Sequence, residues 1–200
     1  MLDRPVRARL APSLTAVAAA LNSRGVRAGH LTALGLTIGI GACVAAAFSH
    51  WPLALVLWLA NRTFDGLDGP LARLQGPSDL GGLLDFAADF VVYGGFVVAV
   101  AIAEPDARVA VCVLLAAYLL NNVVLLSLSA LGEKRALALG DERGLTLPTG
   151  LAEGTETIAV YVLLCLAPGF AAEIAYVFAA VVMVTVAQRL ATARRLLSPP

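Results

Sequence analysis

Long apolar runs broken by short polar interruptions make up most of the chain, and their spacing predicts helices that cross a membrane. A transmembrane helix needs about 20 mostly apolar residues. Six runs approach that length: Leu31–Phe48, Pro52–Leu71, Leu80–Ala103, Arg108–Leu131, Leu151–Ala167 and Ala171–Leu190. The links Ser49-His50-Trp51-Pro52, Glu104-Pro105-Asp106 and Ala167-Pro168-Gly169 are short and carry Pro or Gly. They read as hairpin turns between antiparallel helices. The expectation is an all-α membrane protein of six transmembrane helices, formed as a single domain over 1–200 with a leader at 1–28. Composition agrees, because 60% of residues are hydrophobic and only 14% charged, against roughly a quarter charged in a soluble domain. Mean hydropathy is +0.85.

The formal net charge of zero hides a strong sidedness. Arg4, Arg7, Arg9, Arg24 and Arg27 precede the first run, and Arg62 and Arg73 flank the end of the second. Lys134, Arg135 and Arg143 lie between the fourth and fifth, and Arg189, Arg194 and Arg195 close the sixth. In a six-helix hairpin arrangement all of these fall on one side and Arg108 alone on the other. By the positive-inside rule the basic side is cytoplasmic, so both termini are cytoplasmic. The expected location is a bacterial inner (cytoplasmic) membrane, and no nucleic-acid partner is expected. The segment Arg4–Arg27 alternates basic and apolar residues without a cleavage site, so it is a poor signal peptide. It reads either as an N-terminal amphipathic interfacial helix or as a solvated basic leader that sets topology. Cys43, Cys112 and Cys165 sit singly in separate runs with no CxxC pair, which reads as packing.

Against this background four acids stand out. Asp65 and Asp68 end the second run, and Asp85 and Asp89 lie in the third. An aspartate at the centre of a spanning helix costs about 2.5–3.5 kcal/mol, so four in one short stretch need a stabiliser. Hard divalent cations take oxygen ligands. Asp65, Asp68 and Ala72 share one helical face, as do Gly81, Asp85 and Asp89. Between them Gly76, Pro77 and Ser78 break the helix, so the two acidic faces can meet across an antiparallel hairpin. Gly69 and Gly81 place no side chain beside the acids and let a ligand approach the backbone. Pro70 is expected to loosen the helix end and free backbone groups. Arg73 is placed for a phosphate or a base edge. The plainer reading is that Arg62 and Arg73 simply pair with Asp65 and Asp68, as membrane acids often pair with basic residues.

The spacing Asp65-x2-Asp68-Gly69-x2-Ala72-Arg73, seven residues, then Gly81-x3-Asp85-x3-Asp89 resembles the signature of the CDP-alcohol phosphatidyltransferases, with every fixed position present. The motif covers 65–89, and the six runs also look like that family's core. The resemblance implies displacement of CMP from a CDP-linked lipid, such as CDP-diacylglycerol, by the hydroxyl of a small alcohol or lipid acceptor. It implies divalent metal, Mg2+ or Mn2+, as two ions held by Asp65, Asp68, Asp85 and Asp89. Asp89 is then the general base, and Gly69, Ala72, Arg73 and Gly81 line the cytidine nucleotide pocket. A nucleotide-side role for Thr32 is expected too, although the family's Asn-x-x-Thr-like pattern at the entry of the first helix is not kept. A homodimer is also implied.

The motif reads the donor, so acceptor recognition is sought in 132–149 and the start of the fifth run. Lys134, Arg135 and Arg143 suit a phosphate-bearing acceptor such as glycerol 3-phosphate or inositol phosphate, or only set topology. Glu153 and Glu156 suit an amine or hydroxyl, with serine or phosphatidylglycerol as alternatives, or favour a helix N-terminus. Asn121 and Asn122 read as interhelical hydrogen-bond partners, and Gln188 and Arg189 as the end of the last helix. A metal or proton transporter is the competing class, since it also wants intramembrane acids.

Overall fold

The computed structural model describes residues 3–134, 151 and 154–197. Among them are seven α-helices: α1 (Asp3–Ser23), α2 (Ala28–Ala47), α3 (Trp51–Gln75), α4 (Asp79–Ala103), α5 (Arg108–Lys134), α6 (Gly154–Leu166) and α7 (Ala171–Leu197). Short 3-10 turns at Pro105–Ala107 and Pro168–Phe170 sit at two of the expected hairpins. All six expected apolar helices form. Four helical stretches among the described residues are long and apolar enough to cross a membrane: Ala28–Ala47, Asp79–Ala103, Pro105–Lys134 and Pro168–Arg195. α3 carries too many polar residues in its second half to qualify on that basis, and α6 is shorter, at 13 residues. The outside of the bundle is rich in bare Leu, Val, Ile and Phe, such as Val56, Leu83, Val109 and Val177. A surface of this kind suits lipid, where only helices and closed barrels satisfy their backbone groups.

Two boundaries differ from expectation. Pro70 does not end α3, which runs on to Gln75. The ring costs the helix one hydrogen bond, leaving the Gly66 carbonyl without its usual donor four residues on, yet the neighbouring turns hold. α7 likewise runs past Arg189 to Leu197, so Arg189 is an interior helical residue.

The chain reversals have clear local causes. α2 ends with Ser49 at φ 60, its N–H on the Ala46 carbonyl, while the His50 N–H reaches the Ala45 carbonyl. This is a Schellman closure. α1 ends the same way at Gly25, φ 77, with the Val26 N–H on the Leu21 carbonyl. Between α3 and α4, Gly76 takes φ 89, and the Ser78 hydroxyl caps α4 by accepting from the Gly81 N–H at 3.1 Å. A Cβ on Gly81 would stand 2.9 Å from that hydroxyl, so this glycine also serves the cap.

The packing departs from a simple hairpin. The backbones of α3 and α4 scarcely approach each other, whereas α2 packs closely along both. Small residues on α2 make this possible. Gly35, Gly39, Ala42 and Ala46 recur along one buried face, the small-xxx-small pattern that lets helices approach in membranes. Gly39 is the tightest point: a Cβ there would lie 2.5 Å and 2.8 Å from the Val92 methyls and 2.9 Å from Asn61 Nδ2. The space left between α3 and α4 is filled at one end by rings. Trp58 stacks on Tyr161 at 4.6 Å and meets Tyr93 and Phe96 at 5.4 Å each. α5 and α7 pack on each other to complete the bundle, and the Arg189 guanidinium donates to Asn121 Oδ1 at 2.6 Å. Asn121 is therefore the interhelical partner its position predicts. Cys43, Cys112 and Cys165 are all unpaired thiols.

α1 lays Leu14, Ala18 and Leu21 against Leu67, Leu71 and Leu31. Gln75 secures the following link: its amide donates to the Val26 carbonyl at 2.6 Å and its carbonyl oxygen accepts from the Ala28 N–H at 3.1 Å.

Gly39→Ala should lower stability by about 1–3 kcal/mol, the usual cost of overpacking, because the stiff Val92 cannot turn aside. Gly82→Ala is the control: it is exposed in α4 with nothing within 4 Å of the added carbon. Thermal unfolding in detergent should show a lower Tm for the first and an equal or higher Tm for the second. Equal Tm values for both would remove Gly39 as the packing constraint.

Candidate active site

The end of the α3–α4 space away from the aromatic rings is polar. Asp65 and Asp68, one helical turn apart, project from α3, and Asp85 and Asp89 from α4. All four line one pocket, together with Thr32 and Gly35 of α2 and Asn61 of α3. Within it Asp65, Asp68 and Asp85 each offer a carboxylate oxygen, and the three oxygens lie within 4.8 Å of one another. Charges this close repel strongly in a low-dielectric body, and a set of hard oxygen donors suits a divalent cation such as Mg2+, Mn2+ or Ca2+. The donor set therefore fits the metal expected from the sequence.

The chain also brings a cation of its own. Arg62 Nη1 lies 2.9 Å from Asp89 Oδ1 and 3.5 Å from Asp65 Oδ2, and it donates to the Tyr93 hydroxyl at 2.8 Å. Nε and Nη2 both donate to Asn61 Oδ1. The Asn61 amide in turn donates to the Gly35 carbonyl at 2.8 Å. The guanidinium carbon lies 4.9 Å from the Trp58 ring centre and 4.6 Å from that of Tyr93, a cation–π arrangement. Arg62 is only 5% exposed, while Asp65 and Asp89 are each 32% exposed. The arginine is sealed into the bundle and the acids face the opening.

The other expected site residues fall at graded distances from this centre. The Thr32 hydroxyl lies 3.1 Å from Asp68 Oδ2 and 3.3 Å from the Ala28 carbonyl. With one proton to give, its shorter contact orients the carboxylate. Gly69 and Ala72 are half-buried on α3, and Arg73 is exposed, its Nη1 3.6 Å from where a Gly69 Cβ would stand. An added carbon at Gly69 would make only ordinary contact with Arg73, which lies back along the helix. Gly81 is exposed at the start of α4. Glu156 is in the first turn of α6 and lines a separate, nearly wholly apolar groove between α6 and α7. Lys134 is exposed at the last position of α5. Arg135, Arg143 and Glu153 lie outside the described residues.

Of the pairings weighed for Arg62 and Arg73 with Asp65 and Asp68, that of Arg62 with Asp65 is present and is extended. Arg62 reaches Asp65, as expected, but its shorter ion pair is with Asp89, across on α4. The sequence reading also missed Asn61 and Tyr93. The available signal was an Asn-Arg pair set one turn before the first acid, inside an apolar run, since a charge at such a place is rarely idle.

Known proteins resemble this chain along most of its length. The family model for CDP-alcohol phosphatidyltransferase matches residues 26–189. The inner membrane protein YnjF of Escherichia coli (strain K12) is 36% identical over 194 residues, covering 92% of this chain and 91% of that protein. Among solved structures, Mycobacterium tuberculosis phosphatidylinositol phosphate synthase (PgsA1) with CDP-DAG bound superposes with a TM-score of 0.70 at 22% identity, over 90% of this chain and 93% of that one. The same synthase in complex with manganese and citrate gives a TM-score of 0.70 at 22% identity, over 90% and 88% of the two chains. The likeness in fold runs through nearly the whole chain.

Asp68→Asn should raise the Mn2+ concentration needed for half-saturation by at least about tenfold, and Thr32→Val by a smaller factor, as for partners that orient a ligand. Electron paramagnetic resonance titration of free Mn2+ reads both. An unchanged titration in the Asp68 variant would take that residue out of the cation-binding set.

Proposed function

The chain belongs to the CDP-alcohol phosphatidyltransferase family, and on that premise we propose how its residues divide the chemistry. It is an integral membrane enzyme that transfers a phosphatidyl group from a CDP-linked lipid to an alcohol and releases CMP. The observation that carries the assignment of roles is the convergence of Asp65, Asp68 and Asp85 within 4.8 Å, in the pocket that Asp89 also lines. Asp65, Asp68, Asp85 and Asp89 would hold divalent metal, Mg2+ or Mn2+, as two ions, the first three supplying the converging oxygens. When bound, the metal supplies positive charge to the pyrophosphate oxygens and so eases departure of CMP. The manganese complex of a structurally similar synthase is in keeping with this.

Asp89 accepts the proton of the acceptor hydroxyl as the new oxygen–phosphorus bond forms, and the bridging oxygen leaves with CMP. A carboxylate in this place has the reach and the open side that a general base needs. Thr32 holds Asp68 in register. Gly69, Ala72, Arg73 and Gly81 border the approach of the cytidine nucleotide, with Arg73 free at the surface to meet a phosphate. Donor lipid of the CDP-diacylglycerol kind suits a pocket that opens between helices whose outer faces are bare hydrocarbon.

Six of the helices, α2 to α7, cross the bilayer, with the polar end of the α3–α4 space toward the cytoplasm. The support is charge: Arg24, Arg27, Arg73, Lys134, Arg194 and Arg195 sit at the helix ends on that side, as the positive-inside rule requires. α1 lies along the cytoplasmic interface, with Arg9 exposed and Leu14 and Leu21 packed toward α3. The same basic girdle favours a phosphate-bearing acceptor, glycerol 3-phosphate or inositol phosphate, over serine or phosphatidylglycerol. The homodimer that the resemblance implies needs no residue of a second copy at the acid cluster, since all four aspartates come from one chain. A metal or proton transporter would need polar residues along a complete path. Here the far end of the α3–α4 space is closed by Trp58, Phe96 and Tyr161.

Purified protein with Mn2+ and CDP-diacylglycerol should release CMP on addition of one acceptor from a panel of glycerol 3-phosphate, inositol phosphate, inositol, serine and phosphatidylglycerol. Asp89→Asn should lower that release by about 10²–10⁴-fold, the range for a lost general base, while CDP-lipid binding persists. Full turnover in that variant would end its assignment as base.

A further inference from the structure

We infer that Arg62 is a positioning residue that acts as a built-in counter-ion for the acid cluster, tying Asp65 to Asp89 across the α3–α4 gap and keeping the four metal-binding carboxylates together when no divalent ion is bound. The inference rests on the reading above that these four aspartates hold divalent metal, and it concerns a residue outside the motif at 65–89. It gives the site a means of keeping its shape between the departure of one ion and the arrival of the next.

The geometry is that of a clasp. Arg62 Nη1 lies 2.9 Å from Asp89 Oδ1 on α4 and 3.5 Å from Asp65 Oδ2 on α3, and those two carboxyls also hydrogen-bond each other. One cation thus engages an acid from each wall of the gap, although the two helix backbones scarcely approach. The second pair across the gap, Asp68 with Asp85, is met by a neutral partner, the Thr32 hydroxyl 3.1 Å from Asp68 Oδ2. The fixed positive charge is therefore placed on one of two acid pairs, and the other is held by hydrogen bonds.

The guanidinium has no freedom to swing away. Its Nε and Nη2 donate to Asn61 Oδ1, Nη1 also donates to the Tyr93 hydroxyl, and Asn61 is fastened to the Gly35 carbonyl. Rings of Trp58 and Tyr93 lie against it. A guanidinium stays charged, and at 5% exposure this one is shielded from water. Removing one member of a buried ion pair leaves the other uncompensated, which costs far more than losing an exposed pair. Bound divalent ions would supply the missing charge. Loss of Arg62 should therefore weaken the protein chiefly when metal is absent, and it takes from the site a positive charge that opposes an incoming cation. A scaffolding role, exercised through Asn61, Tyr93 and the rings, would weaken the protein equally with and without metal.

The test follows the unfolding midpoint of full-length wild type, R62Q and R62Q/D89N in detergent, each in EDTA and in saturating Mn2+. In EDTA, R62Q should unfold roughly 6–15 °C below wild type, the range for one broken buried ion pair in a chain of this size. Mn2+ should recover at least half of that difference, because an ion that binds only the folded state stabilises it. R62Q/D89N also lacks one of the acids left stranded, so in EDTA it should unfold at least about 3 °C above R62Q. An R62Q midpoint within about 2 °C of wild type in EDTA, a recovery of less than half in Mn2+, or a double variant below that margin would each overturn the inference. If R62Q folds under neither condition, the double variant decides: folded in EDTA it supports the inference, and unfolded it refutes it. A wild-type midpoint that does not move with Mn2+ would defeat the metal reading instead. The comparison of R62Q with R62Q/D89N in EDTA would still decide whether Arg62 balances the acids.

Discussion

The close seating of α2 is the constraint on which the rest depends. Gly39 has no room for even one more carbon beside Val92 and Asn61. Because α2 sits this deep, it can pack along α3 and α4 at once while those two stand apart. Without the separation, facing acids on α3 and α4 would be pressed together, or their helices would close over the space that substrate must enter. In a bilayer there is little hydrophobic drive to bring helices together, and packing of small residues supplies much of the association. The glycine face is thus both what joins the helices and what sets the width of the gap between them.

The gap is then divided along its length by residue type. One end is filled with Trp58, Tyr93, Phe96 and Tyr161, which close it with dry, rigid rings. The other end holds the carboxylates. Arg62 stands at the junction, its plane against the rings and its donors toward the acids. An unpaired charge at this depth would be very costly, so the arginine and the acids justify one another. The chain from the Gly35 carbonyl through Asn61 to Arg62 and Asp89 links the packing face of α2 directly to the reactive end of α4. Fold and chemistry share those atoms.

Much of this was legible in the sequence because it is local. Helical spans follow from runs of apolar residues, and the acid faces from spacing of three and four. The break at Gly76-Pro77-Ser78 is written in residue types, and the structure places it there. What was not legible depends on distant contacts. A hairpin reading puts α3 directly against α4, and nothing in either helix says that α2 lies between them. The pattern Gly35-x3-Gly39 was the available hint, but a small-residue face does not name its partner. Arg62 was visible as a charge, yet its choice of Asp89 over Asp65 depends on the width of the gap. Pro70 misled for a different reason, since propensity treats proline as a stop while tertiary packing carries α3 through it to Gln75.

That continuation of α3 has its own meaning for the site. Had the helix ended at Pro70, Gln75 would not reach Val26 and Ala28, and the turn that begins α2 would lose its anchor. Thr32 lies one turn into α2 from that anchor, with its hydroxyl on Asp68. The last turn of α3 therefore reaches back, through the start of α2, to an acid on α3 itself. A loop of contacts of this kind fixes Asp68 from two directions, by its own helix and by Thr32. Asp89 is held in a similar way, by α4 and by Arg62 from α3. Two of the four carboxylates are thus each restrained by a polar partner on another helix. Such restraint lets a charged cluster keep a defined geometry before any ligand arrives, which is the condition for electrostatic preorganisation.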